Sequence, residues 1–166
     1  MKKAILLILL FVMTATLFSG CGLPFRKTTD KTFTKAGLSI TLTSDFSEQD
    51  LASQTAYYVS KQVIVTTLKE EFSLFENINM PAEMSLTEYA QLVIENNKIE
   101  SEITQEDGLT SFLYKKEMNG KNITYYATVF RSTDAFWLVQ FACDTEQFEE
   151  HKPQFIQYAK TVTFEP

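Results

Sequence analysis

A chain of 166 residues, 45% hydrophobic and 13% aromatic, has enough apolar material for one domain with a real core. Its formal net charge of −6 excludes the basic balance that nucleic-acid phosphates demand, and it disfavours electrostatic adhesion to anionic lipid. Two cysteines and one histidine offer no Cys-x-x-Cys or His-x-x-x-His spacing, so no zinc site is expected.

The chain opens with Lys2 and Lys3, an uncharged apolar run from Ala4 to Phe18, and the small residues Ser19 and Gly20. This is the layout of a secretory signal peptide, and the run is too short to span a bilayer comfortably. The Leu17-Phe18-Ser19-Gly20-Cys21 stretch resembles the bacterial lipobox. The resemblance implies cleavage after Gly20 and a diacylglyceryl group on Cys21, with palmitate-type chains that give stable anchoring where one chain would not. It divides the chain into a signal at 1–20, a lipid-proximal tether at 21–31 and a single domain at 32–166. It also places the protein on the extracytoplasmic face of a bacterial cell membrane. Gly22 after Cys21 is not an acidic inner-membrane retention signal. The competing reading is an uncleaved anchor with an incidental cysteine. With Cys21 lipidated, Cys143 has no intrachain partner. It reads as a small buried apolar residue, because no histidine or cation beside it would activate the thiol.

After the polar tether, Thr32 to Thr34 reads as a short strand and Gly37 as a turn. Leu38-Ser39-Ile40-Thr41-Leu42-Thr43 alternates as a half-buried strand does. Residues 46–54 read as an irregular connection. Ala56 to Ser60 and Val63 to Leu68 are rich in β-branched and aromatic residues, and Lys61-Gln62 between them predicts a hairpin. Residues 69–82 carry Phe72, Leu74, Phe75, Ile78 and Met80 without a clean period, with Pro81 near the end. They read as a long loop whose apolar side chains either tuck under the domain edge or form a contact patch.

Ser85 and Glu88 make a capping-box pattern, with Met84 and Tyr89 placed for a hydrophobic staple. Leu86, Tyr89, Ala90 and Val93 then share one helix face, and Asn96-Asn97-Lys98 ends it. Residues 99–106 mix acids with isoleucines, as an exposed edge strand does. Asp107-Gly108 is a turn. Asn119-Gly120, between Leu109 to Met118 and Lys121 to Arg131, is the strongest short-range hairpin signal. Ala135 to Cys143 is apolar at nearly every position, which predicts a strand covered on both faces. Thr145 to Glu150 reads as a helical turn. Pro153 suits a first turn, so the last helix is expected from about Pro153 to Lys160. Val162 to Phe164 reads as a closing strand.

The expected fold is α+β: an antiparallel sheet with helices on both faces, an α/β/α sandwich. In the order of its patterns the region from Phe33 to Phe164 resembles the PsbP-like lipoproteins, including the DcrB-like proteins. The resemblance rests on Gly37 to Leu42, Ser85-Leu86-Thr87-Glu88-Tyr89, Asp134 to Phe141 and Tyr158 to Phe164. It implies that fold and a binding or assembly role.

No residue set announces catalysis, and no cofactor is expected. The glycines do not cluster into a phosphate cradle. His151 stands alone among Glu149, Glu150 and Lys152. The carboxylate pairs Glu70/Glu71, Glu106/Asp107 and Glu149/Glu150 lie in polar runs that give no reason for shifted acidity. The expectation is therefore a non-enzymatic lipoprotein, held to the membrane through Cys21, that binds or helps assemble an unidentified envelope protein. Phe72, Leu74 and Phe75 are the candidate contacts. The alternative is a small-molecule or lipid ligand in a pocket between sheet and helix.

Overall fold

The computed structural model describes residues 29–77 and 83–165. The signal, Cys21, Ile78, Met80 and Pro81 lie outside them. Among the described residues the strands form two antiparallel sheets. The small one is built from β1 (Asp30–Lys35), β2 (Leu38–Thr43) and the closing β10 (Thr163–Phe164), in the order β1-β2-β10. The large one contains β3 (Ser47–Gln49), β4 (Ala56–Val59), β5 (Val63–Glu71), β6 (Ile103–Glu106), β7 (Leu109–Met118), β8 (Lys121–Arg131) and β9 (Ala135–Asp144). Its order is β3-β4-β5-β9-β8-β7-β6. Strand β1 starts at Asp30, ahead of the expected domain start, and β3 is a strand within the stretch read as irregular.

Local chemistry explains the hairpins. Asn119 and Gly120 sit at φ 54° and 76°, the left-handed pair that a tight turn between twisted strands needs. The result is a register running from Met118 opposite Lys121 to Thr110 opposite Val129. Both edges of the large sheet are short and exposed, β3 over 3 residues and β6 over 4, which limits edge-to-edge pairing.

Strand β9 lies between β5 and β8, and its side chains feed two cores. Trp137, Val139, Phe141 and Cys143 meet β2 and the last helix in one core. Phe136 and Leu138 meet the other. Among the described residues three helices supply the layers: α1 (Phe72–Asn77), α2 (Leu86–Asn96) and α3 (Phe148–Lys160). Helix α2 packs with α1 on one face of the large sheet, while α3 and the small sheet cover the other. Helices therefore sit on both faces, as the sequence predicts, with the small sheet as an added layer. Leu38, Ile40 and Leu42 are fully buried, so β2 gains more by lying over β9 than by extending the large sheet's edge.

The capping box is present: the Ser85 hydroxyl accepts from the Glu88 amide at 3.2 Å, and the Glu88 carboxylate accepts from the Ser85 amide at 2.7 Å. The Ser85 amide and the Ser85 hydroxyl, both donating to that carboxylate, hold the Glu88 carboxyl below its usual range. The start of α3 departs from expectation. The helix begins at Phe148, after a 3-10 turn over Thr145–Gln147, and Pro153 lies inside it. An interior proline costs about 3 kcal/mol. Phe148 is buried and packs its ring 6.2 Å from Phe155. Burying such a side chain returns about 1.5–3 kcal/mol, and the added helical hydrogen bonds carry the rest.

Tyr58 is fully buried beside Phe33, ring centroids 4.8 Å apart, and its hydroxyl has no hydrogen-bond partner among the described residues. A buried unpaired hydroxyl bears its desolvation cost without return. Tyr58→Phe is expected to stabilise the fold by about 1 kcal/mol, measured by urea unfolding. A loss of stability would show that the hydroxyl has a partner.

Candidate functional site

The face of the large sheet under α2 is only partly roofed. An eleven-residue helix is about 16 Å long, whereas the ten-residue β9 extends about 33 Å. Helix α2 covers Phe112, Ala127, Val129, Phe136 and Leu138. It stops at Asn97, which caps it by donating from Nδ2 to the Val93 carbonyl at 2.8 Å. Beyond that point the sheet lies open as a cleft of about 1240 Å³.

Alternation decides what lines this cleft. On β5, Ile64, Thr66 and Leu68 are half-buried while Val63, Val65 and Thr67 are buried. The inner face is dry and the cleft face is partly wet. Across the strands Tyr57 stands opposite Thr66, Thr66 opposite Gln140, Tyr125 opposite Ala142, and Tyr114 opposite Tyr125. The Tyr114 and Tyr125 rings stack at 4.6 Å with planes 4° apart. Gln140 is held from both sides. Its Oε1 accepts from the Thr66 hydroxyl at 3.2 Å, and its Nε2 donates to the Tyr114 hydroxyl at 2.9 Å. Burial raises the Tyr114 and Tyr125 hydroxyls above the usual tyrosine range, so both remain neutral donors at ordinary pH. Leu51 and Met118, 45% and 42% exposed, stand on the cleft border.

The roofed half ends in an aromatic cluster. Tyr89 lies flat on Phe136, 4.5 Å between centroids, and its hydroxyl donates to the Glu70 carboxylate. Phe72 and Phe75 meet Phe136 edge-on at 5.2 and 5.6 Å. The Arg131 guanidinium lies 4.5 Å over Phe72 and 5.2 Å over Phe136.

This cluster corrects the reading of residues 69–82 as a loop over its described part, residues 69–77. Strand β5 continues to Glu71 and α1 follows directly. Phe72 and Phe75, three residues apart on a helix, turn the same way. Phe75 is 5% exposed, a core residue unavailable to a partner, and Phe72 is partly buried on Phe136. Leu74 points outward, 56% exposed. The three candidate contacts therefore do not form one exposed patch.

Cys143 is buried, and its thiol is pushed up to about 11 by burial, the opposite of activation. His151 stacks on Phe155 at 5.8 Å. Among the described residues no group of three or more His, Cys, Asp or Glu is placed to hold a metal, and no helix is long and apolar enough to cross a membrane. The cleft residues escaped sequence reading because they come from five strands. The Tyr57-Tyr58 and Tyr125-Tyr126 pairs do each put one tyrosine on each face, and that signal was legible.

No protein-family model and no curated protein matches the chain. Solved structures do. LpqN, described as involved in cell envelope biogenesis of Mycobacterium tuberculosis, is similar at 10% identity with a TM-score of 0.50, over 84% of this chain and 92% of LpqN. A crystal structure from Bacteroides thetaiotaomicron is similar at 11% identity with a TM-score of 0.51. That match covers 84% of this chain and 49% of the other, so the chain spans about half that protein's length. The solution structure of cyanobacterial PsbP (CyanoP) from Synechocystis sp. PCC 6803 gives 12% identity and a TM-score of 0.49, over 90% of this chain and 99% of that one. At such identities the likeness is one of fold.

Proposed function

We propose that this protein is a non-catalytic binding protein of a bacterial cell envelope. It is held on the extracytoplasmic face through lipid on Cys21, and its binding surface is the unroofed half of the large sheet. The cleft carries the binding half of this reading. It gathers half-buried tyrosines, a glutamine oriented by two hydrogen bonds, and exposed Leu51 and Met118 on its border, the mix of apolar area and few placed polar groups that binding sites show. The lipobox stretch Leu17 to Cys21 supports the anchor. LpqN, a protein involved in cell envelope biogenesis, offers a fold-level analogy for the location.

The two halves are tested separately. Metabolic labelling with radioactive palmitate should mark the full chain in the membrane fraction and leave Cys21→Ala unlabelled. An unlabelled wild-type chain would end the anchor reading. A benzophenone side chain at Met118 should cross-link to an envelope component in living cells, whereas one at exposed Gln154 on α3 should not. Equal capture at both positions would remove the cleft from the account.

A further inference from the structure

On the reading that the cleft is the binding surface, its chemistry narrows the occupant: we propose that it takes an acidic saccharide chain. The floor presents fixed hydrogen-bonding groups. Gln140 uses one amide proton on the Tyr114 hydroxyl and keeps the other, and Tyr114, having accepted there, keeps its own proton to donate. Donors set at fixed spacing against a flat aromatic surface suit a ring that is hydroxylated at its edge and carries C–H groups on its face. Tyr125, which spends one face on Tyr114 and lines the cleft, supplies that surface.

The shape favours the same class. The cleft, about 1240 Å³, is open to solvent. An acyl chain lying in it would keep one flank wet and forgo about 25 cal/mol for each Å² left exposed. A saccharide loses nothing by turning its outer hydroxyls to water.

Charge supplies the acid. Lys98 and Lys116 border the cleft, Lys116 on the same face of β7 as Tyr114, and neither makes an ion pair among the described residues. Glu100 also borders it, leaving an excess of positive charge in a chain whose net charge is −6. Unpaired lysines held in an acidic protein are complementary to carboxylates spaced along a glycan.

The test is calorimetry on the full chain in lipid nanodiscs, with hexagalacturonate, maltohexaose and hexyl phosphate as probes. Hexagalacturonate should bind at least tenfold more tightly than maltohexaose. Lys98→Gln with Lys116→Gln should weaken it about tenfold with the melting temperature unchanged, since both side chains are exposed. Tyr125→Ser should weaken both saccharides by the same factor. Tighter binding of hexyl phosphate, or no heat from either saccharide, would overturn the saccharide assignment. The Met118 cross-link decides independently whether the cleft is a binding surface at all.

Discussion

Phe136→Ala is expected to lower unfolding free energy by about 4 kcal/mol, the range for deleting a buried phenyl ring. Against a total of about 5–15 kcal/mol that is a large share, and the melting temperature should fall by roughly 10–15 °C. The reason is where the ring sits. Phe136 is fully buried on the central strand, with Tyr89 stacked on it, Phe72 and Phe75 edge-on, and Arg131 above. Removing it leaves α1 and α2 facing a void that backbone fixed in β9 cannot close. Thermal melting by circular dichroism checks this, with Leu74→Ser as the control that should change little because Leu74 is exposed. A Phe136→Ala protein that melts with the wild type would mean that α1 and α2 hold the sheet without that ring.

Alkaline unfolding should be abrupt. Six of the chain's 7 tyrosines, Tyr58, Tyr89, Tyr114, Tyr125, Tyr126 and Tyr158, have hydroxyls raised above the ordinary tyrosine value, with burial the leading cause in each. Tyr58 reaches about 12. In the unfolded chain tyrosine ionises near pH 10. Above that pH the unfolded state holds fewer protons than the folded state, so stability falls as pH rises. The contribution is complete below about pH 10 and is lost as pH climbs toward the raised folded values. Cys143, raised to about 11 by burial, acts in the same direction. Phenolate absorbance at 295 nm should therefore rise in one step, together with loss of the far-ultraviolet dichroism. A gradual rise centred near pH 10, with the dichroism intact, would show these rings open to solvent.

The features legible in the sequence are those whose cause lies within a few residues. Asn119-Gly120 sets its hairpin because both positions must accept positive φ. Ser85 and Glu88 start α2 because each satisfies the other's orphan amide. Leu38 to Thr43 is a strand by alternation, and the unbroken apolar run from Ala135 announces a strand buried on both faces. From these the antiparallel α+β fold with helices on both faces follows.

The remainder needed distant partners. Residues 69–82 show no period because Phe72 and Phe75 answer to Phe136, far along the chain, rather than to a repeat of their own. Pro153 argues locally for a later helix start, and the buried Phe148 overrules it. Strand β10 pairs with β2 across the length of the domain, with Thr161 Oγ1 accepting from the Thr41 amide at 2.9 Å, and no short-range signal names that partner. The cleft is the furthest from the sequence. It exists because α2 is shorter than the strands it roofs, and because strand order brings Tyr57, Thr66, Tyr114, Tyr125 and Gln140 to one face. By itself the sequence determined the turns, the caps and the apolar centre. The tertiary structure alone decided which half of the sheet stays uncovered, because that depends on burial summed over segments that meet only once folded.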